Sequence, residues 1–411
     1  MTYYRIGTTY YKLVMKPLVS GDTTEVLLNW TSEAIKQDHG KEFLSTIEKF
    51  DGFCLIPSHL DYQRRIGNFY NQYSPFGHNP DGDSNKKHDT ILGYLKHVFG
   101  EQLDLGLDYF KILLEYPTQV LPVLCLVNKE RNTGKSTFFY LLKDIFGNNV
   151  IINRNEDLRS NFNSDWAQKL VVAFEEALLD KKDDSEKIKN LATAKYYKIE
   201  AKGVDRFETE FFGKVVLTSN NEDNFIIMDN EENRYWVRKV PIIKNDAEDT
   251  AIREKMKEEI PSFLHFLITR KFSVPRKTRM WFTKEQIRTD ALERVKQANR
   301  NRVEADLAQI LLVILDTREE PIEEIQFTLS DAHEWLKNKI NRNYDVAAVK
   351  RVIQQEWNLH STNNAFNYTQ YRIGFDGVVY SPGEKAKGRF YTISKKTVLE
   401  LNNIVDPVDD T

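Results

Sequence analysis

The sequence predicts an α/β protein: a central domain on a parallel sheet, preceded by a mostly helical domain and followed by a winged-helix-like domain. Three observations predict it. An apolar run, Val120 to Val127, meets a Gly-Lys-Ser turn and then an amphipathic run, Phe138 to Phe146. Two further apolar runs, Leu170 to Phe174 and Lys214 to Leu217, each end in small or acidic polar residues. Near the C-terminus three helix-period segments precede short β-rich ones.

Composition bounds the chain before any motif is read. At 411 residues with 41% apolar content it is long enough for two to four domains with real cores. No apolar run is long enough to cross a bilayer, and the N-terminus lacks a signal-peptide segment, so no membrane partner and a cytoplasmic location are expected. Cys54 and Cys125, both in apolar surroundings, argue for a reducing compartment and against a disulfide framework or cysteine-based zinc site. The eight histidines show no metal-ligand spacing. With 58 basic against 61 acidic residues the net charge is −3, so nucleic acid would have to be met by local patches. Lys271 to Arg302 and Lys385 to Lys396 are such patches, and each can equally be a solvated face.

The front segment, 1–118, opens with strand-like alternation in Tyr3 to Met15 and Thr24 to Trp30 around Ser20-Gly21-Asp22, a predicted hairpin. Residues 31–50 read as a helix capped by Thr31 or Ser32. Helical patterns follow at Asp89 to Phe99 and Leu105 to Tyr116, broken by Gly100 and ended by Pro117.

The central segment, 119–272, carries the chemistry. Residues 129–137 read Lys-Glu-Arg-Asn-Thr-Gly-Lys-Ser-Thr between a buried strand and a helix closed by Gly147. Such a turn aims backbone N–H groups of Asn132, Thr133, Gly134, Lys135, Ser136 and Thr137 at phosphate; the helix dipole and the Lys135 charge assist. Ser136 offers its hydroxyl to a magnesium ion bridging the outer phosphates of a nucleoside triphosphate. The run Leu170 to Glu176 delivers two carboxylates to the carboxyl edge of a sheet, where open α/β sheets bind ligands. Glu175 can hold the Mg2+ shell and Glu176 can orient and deprotonate the attacking water. A third strand, Lys214 to Asn220, would place Asn220 beside the γ-phosphate.

Between these strands, Tyr196 to Glu200 and Phe207 to Phe211 flank a predicted hairpin with Lys202 and Gly203 at its tip, where a lysine is a point contact for a DNA phosphate or an ordinary exposed cation. Asn233 to Val240 is an arginine-bearing strand. Arg234, or secondly Arg238, could reach a neighbouring subunit's nucleotide and stabilise charge developing there. A basic connector is expected over 273–302. The C-terminal domain, 303–405, has helical patterns at Val303 to Asp316, Ser330 to Ile340 and Asp345 to Trp357, then strands near Tyr371 to Ile373, Val378 to Tyr380 and Arg389 to Ile393. A tail covers 406–411.

From Leu121 to Ile243 this ordered set resembles a superfamily 3 helicase, the AAA+-related ATPases of viruses, phages and mobile elements. The loop Asn132 to Thr137, the acidic Phe174-Glu175-Glu176, the hairpin, Thr218-Ser219-Asn220 and the arginine that follows carry the likeness. Lys202 stands eighteen residues before Asn220, similar to the family's DNA-contacting hairpin lysine. The resemblance implies an ATP-dependent DNA helicase or translocase for phage or mobile-element replication, working with Mg2+ as a ring, most simply a hexamer. Single-stranded DNA would pass its channel, and the front piece would serve as an oligomerisation collar. It also implies 3′ to 5′ movement and, the front piece being too short for a primase domain, a separate primase or polymerase partner. The C-terminal domain could bind duplex DNA or protein. Lys129 in place of the first loop glycine and Glu175 in place of the more usual Asp are departures. An AAA+ initiator or loader that hydrolyses ATP without unwinding is the alternative.

Overall fold

The computed structural model describes residues 2–19, 21, 23–81, 87–160, 162–201, 204–228, 232–243, 251–316, 322–340, 344–374 and 378–402. It divides into two compact units: Met1–Glu176, Asn190–Thr218 and Arg238–Gln286 form the first, and Ala177–Lys189, Ser219–Val237 and Ile287–Thr411 the second.

The first unit begins with β1 (Thr2–Ile6), β2 (Thr9–Pro17), β3 (Thr23–Trp30), α1 (Ser32–His39), α2 (Phe43–Thr46) and β4 (Glu48–Phe50). The expected hairpin joins β2 to β3, with Lys16 opposite Thr24, although Ser20 and Asp22 lie outside the described residues. The single strand expected over Tyr3 to Met15 is two, folded back at Gly7 and Thr8. Nor is 31–50 one helix. Thr31 does cap α1, its hydroxyl accepting from Ala34 N at 3.1 Å. The helix stops at Gly40, whose φ of 86° only glycine adopts readily. β4 then pairs in parallel with β1, Ile6 opposite Phe50, a distant pairing that no local pattern announces. The sheet order is β3-β2-β1-β4, and β5 (Gly52–Cys54), β6 (Arg65–Ile66) and β7 (Phe69–Asn71) add a second sheet. The front segment is therefore mixed rather than mostly helical: only after residue 88 do helices dominate, as α3 (Asp89–Phe99) and α4 (Leu103–Glu115).

Next come β8 (Val123–Val127), α5 (Lys135–Phe146), β9 (Val150–Asn153), α6 (Asn155–Arg159) and β10 (Val171–Phe174). They are followed by α7 (Lys182–Leu191), β11 (Tyr196–Ala201), β12 (Val204–Glu210), β13 (Lys214–Ser219), β14 (Tyr235–Lys239) and α8 (Ile252–Thr269). The five-stranded sheet has the order β14-β8-β13-β10-β9. β9, β10 and β13 are parallel and level, Asn153 opposite Phe174 and Phe174 opposite Leu217. Their carboxyl ends thus share one edge with the end of β10 that carries Glu175. β8, β10 and β13 are fully buried, as unbroken apolar strands covered on both faces must be. β11 and β12 form the expected hairpin, with Ala201 opposite Val204. Lys202 and Gly203, at its tip in sequence, lie outside the described residues.

Lys214 opens β13 with its ammonium fully buried, donating to Phe212 O at 2.7 Å and to Pro117 O. Burial depresses its pKa from 10.5 to about 7. His59 is buried between Leu114 O (3.0 Å) and Tyr73 Oη (2.7 Å). Its pKa falls from 6.5 to about 4, chiefly through desolvation, with Lys214 adding a like-charge push. Both bases hold protons less well folded than unfolded, so between the two pKa values the unfolded chain binds more protons and stability rises with pH. The His59 limb runs from about pH 4 to 6.5. At ~1.4 kcal/mol per pKa unit it is worth roughly 3 kcal/mol. The Lys214 limb runs from about pH 7 to 10.5. Urea unfolding across pH should show both limbs, with His59→Gln flattening the acid one and Lys214→Met the alkaline one; unaltered profiles in the variants would refute the assignment.

The second unit is built on α9 (Asp290–Asp316), β15 (Glu324–Phe327), α10 (Leu329–Ile340), α11 (Val346–Arg351), β16 (Phe366–Ile373), β17 (Val379–Gly388), β18 (Tyr391–Ser394) and α12 (Lys395–Leu401). Its core gathers Leu307, Leu311, Phe327, Trp335, Val352 and Ile393. Trp335 Nε1 donates to Tyr371 O at 2.7 Å. The three expected helices and the later strands are present, but the basic connector expected over 273–302 is not one segment. Residues 290–302 are the first half of the 27-residue α9, which the alternation of charged and apolar residues hides. β15, pairing with β18, was not anticipated. The tail, 406–411, lies outside the described residues.

Candidate nucleotide-binding site

The loop between β8 and α5 takes its shape from two left-handed residues. Asn132 has φ 55° and Gly134, the N-cap of α5, φ 81°. A Cβ on Gly134 would also come within 3.3 Å of the Tyr94 ring, a tight approach that adds to the preference for glycine set by the positive φ. Loop carbonyls face away into α3: Tyr94 Oη donates to Gly134 O at 2.8 Å and His97 Nε2 to Thr133 O at 3.1 Å. Asn128 fixes the other end, its amide donating to Val240 O at 2.7 Å and its oxygen accepting from Glu130 N at 2.6 Å. With its carbonyls engaged, such a loop is left to present N–H groups at a helix N-terminus, the arrangement that suits an anion. Lys135 folds over it, Nζ donating to Asn128 O (3.1 Å), Glu130 O (3.2 Å) and Thr133 Oγ1 (3.1 Å). Thr133 is buried, Ser136 and Thr137 half-buried, and Lys129 exposed.

Ser136 and Glu175, thirty-nine residues apart in sequence, meet: the hydroxyl donates to Glu175 Oε1 at 2.6 Å. A hydroxyl and a carboxylate from two elements fit a magnesium ion, which takes few protein oxygens and keeps several waters. Glu176 is exposed and has φ 52°, a conformation a non-glycine residue holds at roughly 1–3 kcal/mol. Its carbonyl accepts from Asn155 Nδ2 at 3.2 Å and its N–H donates to Thr218 Oγ1 at 3.3 Å. The two adjacent glutamates thus occupy different settings, one against the loop serine and one on a sharp bend at the sheet edge. Lys135, Ser136, Glu175 and Glu176 all belong to the first unit.

Asn220 and Arg234 belong to the second. Asn220 is exposed directly after β13, where Ser219 Oγ donates to Ala177 O at 2.7 Å. Arg234 Nη1 pairs with Glu232 at 3.0 Å, and Glu232 also accepts the backbone N–H groups of Asn233 and Arg234. Its side chain is 35% exposed, while that of Glu232 is 4% exposed and is shared with Lys189 at 3.6 Å. Arg238, the second arginine considered, is buried, and its guanidinium binds Glu101 at 2.6 Å and Gln102 at 3.0 Å within the first unit. It holds the Glu101 carboxyl below the usual carboxylate range. Tyr94, His97 and Asn128 were missed by sequence reading, since nothing local ties α3 to a loop more than thirty residues later.

A family of unknown function, DUF5906, matches residues 126–238. None of the curated proteins matches the sequence. Solved structures of the NrS-1 C terminal region resemble the chain: an apo structure of the region (305-718) at TM-score 0.55 and 12% identity, and an A-form apo structure at 0.56 and 14%. The alignments cover 95% of this chain and 95% and 96% of those chains. At such identities the likeness is one of fold. No described helix is long and apolar enough to cross a membrane.

Proposed function

We propose that this chain is an ATP-driven DNA translocase and helicase of the superfamily 3, AAA+-related kind, serving replication of a phage or mobile element. The observation that carries the reading is the Ser136–Glu175 pair at 2.6 Å beneath a loop closed by left-handed Gly134. It brings the glycine-bearing loop and the acidic strand end, far apart in sequence, to one place, which supports reading them as a triphosphate and Mg2+ site. Lys135 and the loop N–H groups bind the phosphates. Ser136 and Glu175 would hold a magnesium ion, which when bound would offset charge on the outer phosphates. Glu176 orients and takes the proton from the attacking water, and Asn220 monitors the γ-phosphate. Arg234, released from Glu232 when subunits assemble, completes a neighbour's site in a ring, most simply a hexamer. Lys202 contacts the DNA backbone without sequence preference. The helix–strand–helix–helix–hairpin order of the second unit suits a winged-helix module, for duplex DNA or for a protein such as a primase or polymerase.

The test is ATP hydrolysis with and without single-stranded DNA, for wild type and Lys202→Ala, across protein concentrations. Turnover should rise with DNA and with concentration, and Lys202→Ala should keep basal turnover but lose the DNA response. Turnover indifferent to both DNA and concentration would exclude the ring translocase. Hydrolysis without strand separation on forked DNA would instead point to an initiator or loader.

A further inference from the structure

Residues 271–284 are cationic and carry no acidic residue. In the first unit this segment is a loop pinned at both ends. Asp108 of α4, fully buried, accepts Ser273 N (2.9 Å), Ser273 Oγ (2.6 Å) and Val274 N (3.2 Å), and it pairs with Arg270. At the other end Trp281 takes φ 70°, donates Nε1 to Val274 O at 3.3 Å, and accepts Lys277 N at 3.1 Å. Gln119 Nε2 holds Arg279 O at 2.8 Å. Pro275 stiffens the intervening turn. The side chains of Lys271, Arg276, Lys277 and Arg279 are left exposed. The α4 acids on this unit are already matched, Asp108 and Asp104 by Arg270 and Glu115 by Lys111.

An aromatic surface belongs to the same loop. Phe272 and Trp281 pack with ring centroids 4.8 Å apart and planes tilted by 44°, and Tyr116 packs on them at 6.1 and 5.8 Å. Tyr116 remains 48% exposed, so its ring is backed by two others and open to solvent.

We propose that Lys271, Arg276, Lys277, Arg279 and Tyr116 form a binding surface for single-stranded nucleic acid, the cations meeting phosphates along the strand and the tyrosine stacking on one base. The ligand chemistry follows from three features. Cations spread along a loop suit a chain of phosphates better than one small anion, which would need convergent donors. The loop's N–H groups at Ser273, Val274, Lys277 and Met280 are bonded internally, which leaves recognition to the side-chain charges. An exposed ring rewards an unpaired base, whose face a duplex hides. The surface requires neither hydrolysis nor Lys202.

The experiment is anisotropy of a labelled oligo(dT) and of a labelled duplex, between about 50 and 200 mM salt. It uses the full chain carrying Lys135→Ala, so that nucleotide use plays no part. Replacing all four cations with Gln should cost at least about tenfold in oligo(dT) affinity and flatten the log–log salt slope by about 3, near 0.7 per lost phosphate contact. Tyr116→Ala should weaken oligo(dT) roughly 5- to 100-fold and leave the duplex unchanged. Should the fourfold variant fail to melt cooperatively, Arg276→Gln with Lys277→Gln alone should flatten the slope by about 1.4. Unchanged slopes, or equal Tyr116→Ala losses on single strand and duplex, overturn the proposal. Lys202→Ala in parallel separates the hairpin from the loop, since a failure of one leaves the other's salt slope intact.

Discussion

Glu176→Gln is expected to slow ATP hydrolysis by roughly two to four orders of magnitude, the usual loss when a positioned general base is removed, with ATP affinity changed only a few-fold. Glutamine keeps the size and hydrogen-bonding shape of the side chain but cannot accept the water's proton. The left-handed bend at residue 176, at φ 52°, keeps its backbone hydrogen bonds to Thr218 and Asn155 in the variant, which should therefore fold as the wild type does. Glu175→Gln is the informative contrast. Because Glu175 is the carboxylate that meets the Ser136 hydroxyl at 2.6 Å, its loss should first raise the magnesium concentration needed for turnover. Initial rates across magnesium concentration for both variants separate the roles. A Glu176→Gln enzyme at wild-type speed would move the base elsewhere, and identical magnesium profiles would undo the division of labour between the two glutamates.

How much of this was legible in the sequence varies with the range of the interaction involved. The loop and α5 were legible because a buried strand, a glycine and an amphipathic helix are local signals, and the structure sets α5 at Lys135 and ends it before Gly147. The acidic strand and the β11–β12 hairpin were legible for the same reason. β4 was not: three residues become a strand only because β1 lies beside them. α8 runs through Pro261, a residue that locally argues against a helix interior. The α3 contacts to the loop carbonyls are likewise a product of folding, since Tyr94 and His97 look in sequence like one helix's ordinary apolar and polar positions. The basic segment after residue 270 was legible in charge but not in form. Its fixed shape depends on Asp108, over 160 residues earlier.

Lys135→Ala should abolish measurable nucleotide binding while leaving the fold intact. In the structure the ammonium rests on Asn128 O, Glu130 O and Thr133 Oγ1. Asn128 and Thr133 are buried but Glu130 beside them is exposed, so truncating Lys135 opens the space it fills toward solvent, water can take the donor's place, and the expected change in stability without ligand is small. The phosphates have no such substitute. A charge-assisted contact to an anion is worth about 1.5–3 kcal/mol, and a lysine meeting two phosphates can contribute more than one such contact, so affinity should fall by ~100-fold or more. Thermal melting reads both effects at once. Wild type should be stabilised by ATP and magnesium, by about 2.7 kcal/mol when ligand stands at a hundred times its Kd. Lys135→Ala should melt where ligand-free wild type does and should not respond to ATP at the same concentration. A variant that still responds as wild type would place the phosphates away from this loop. One that melts far lower without ligand would make Lys135 a structural lysine, its contacts to the loop carbonyls being its role rather than its resting position.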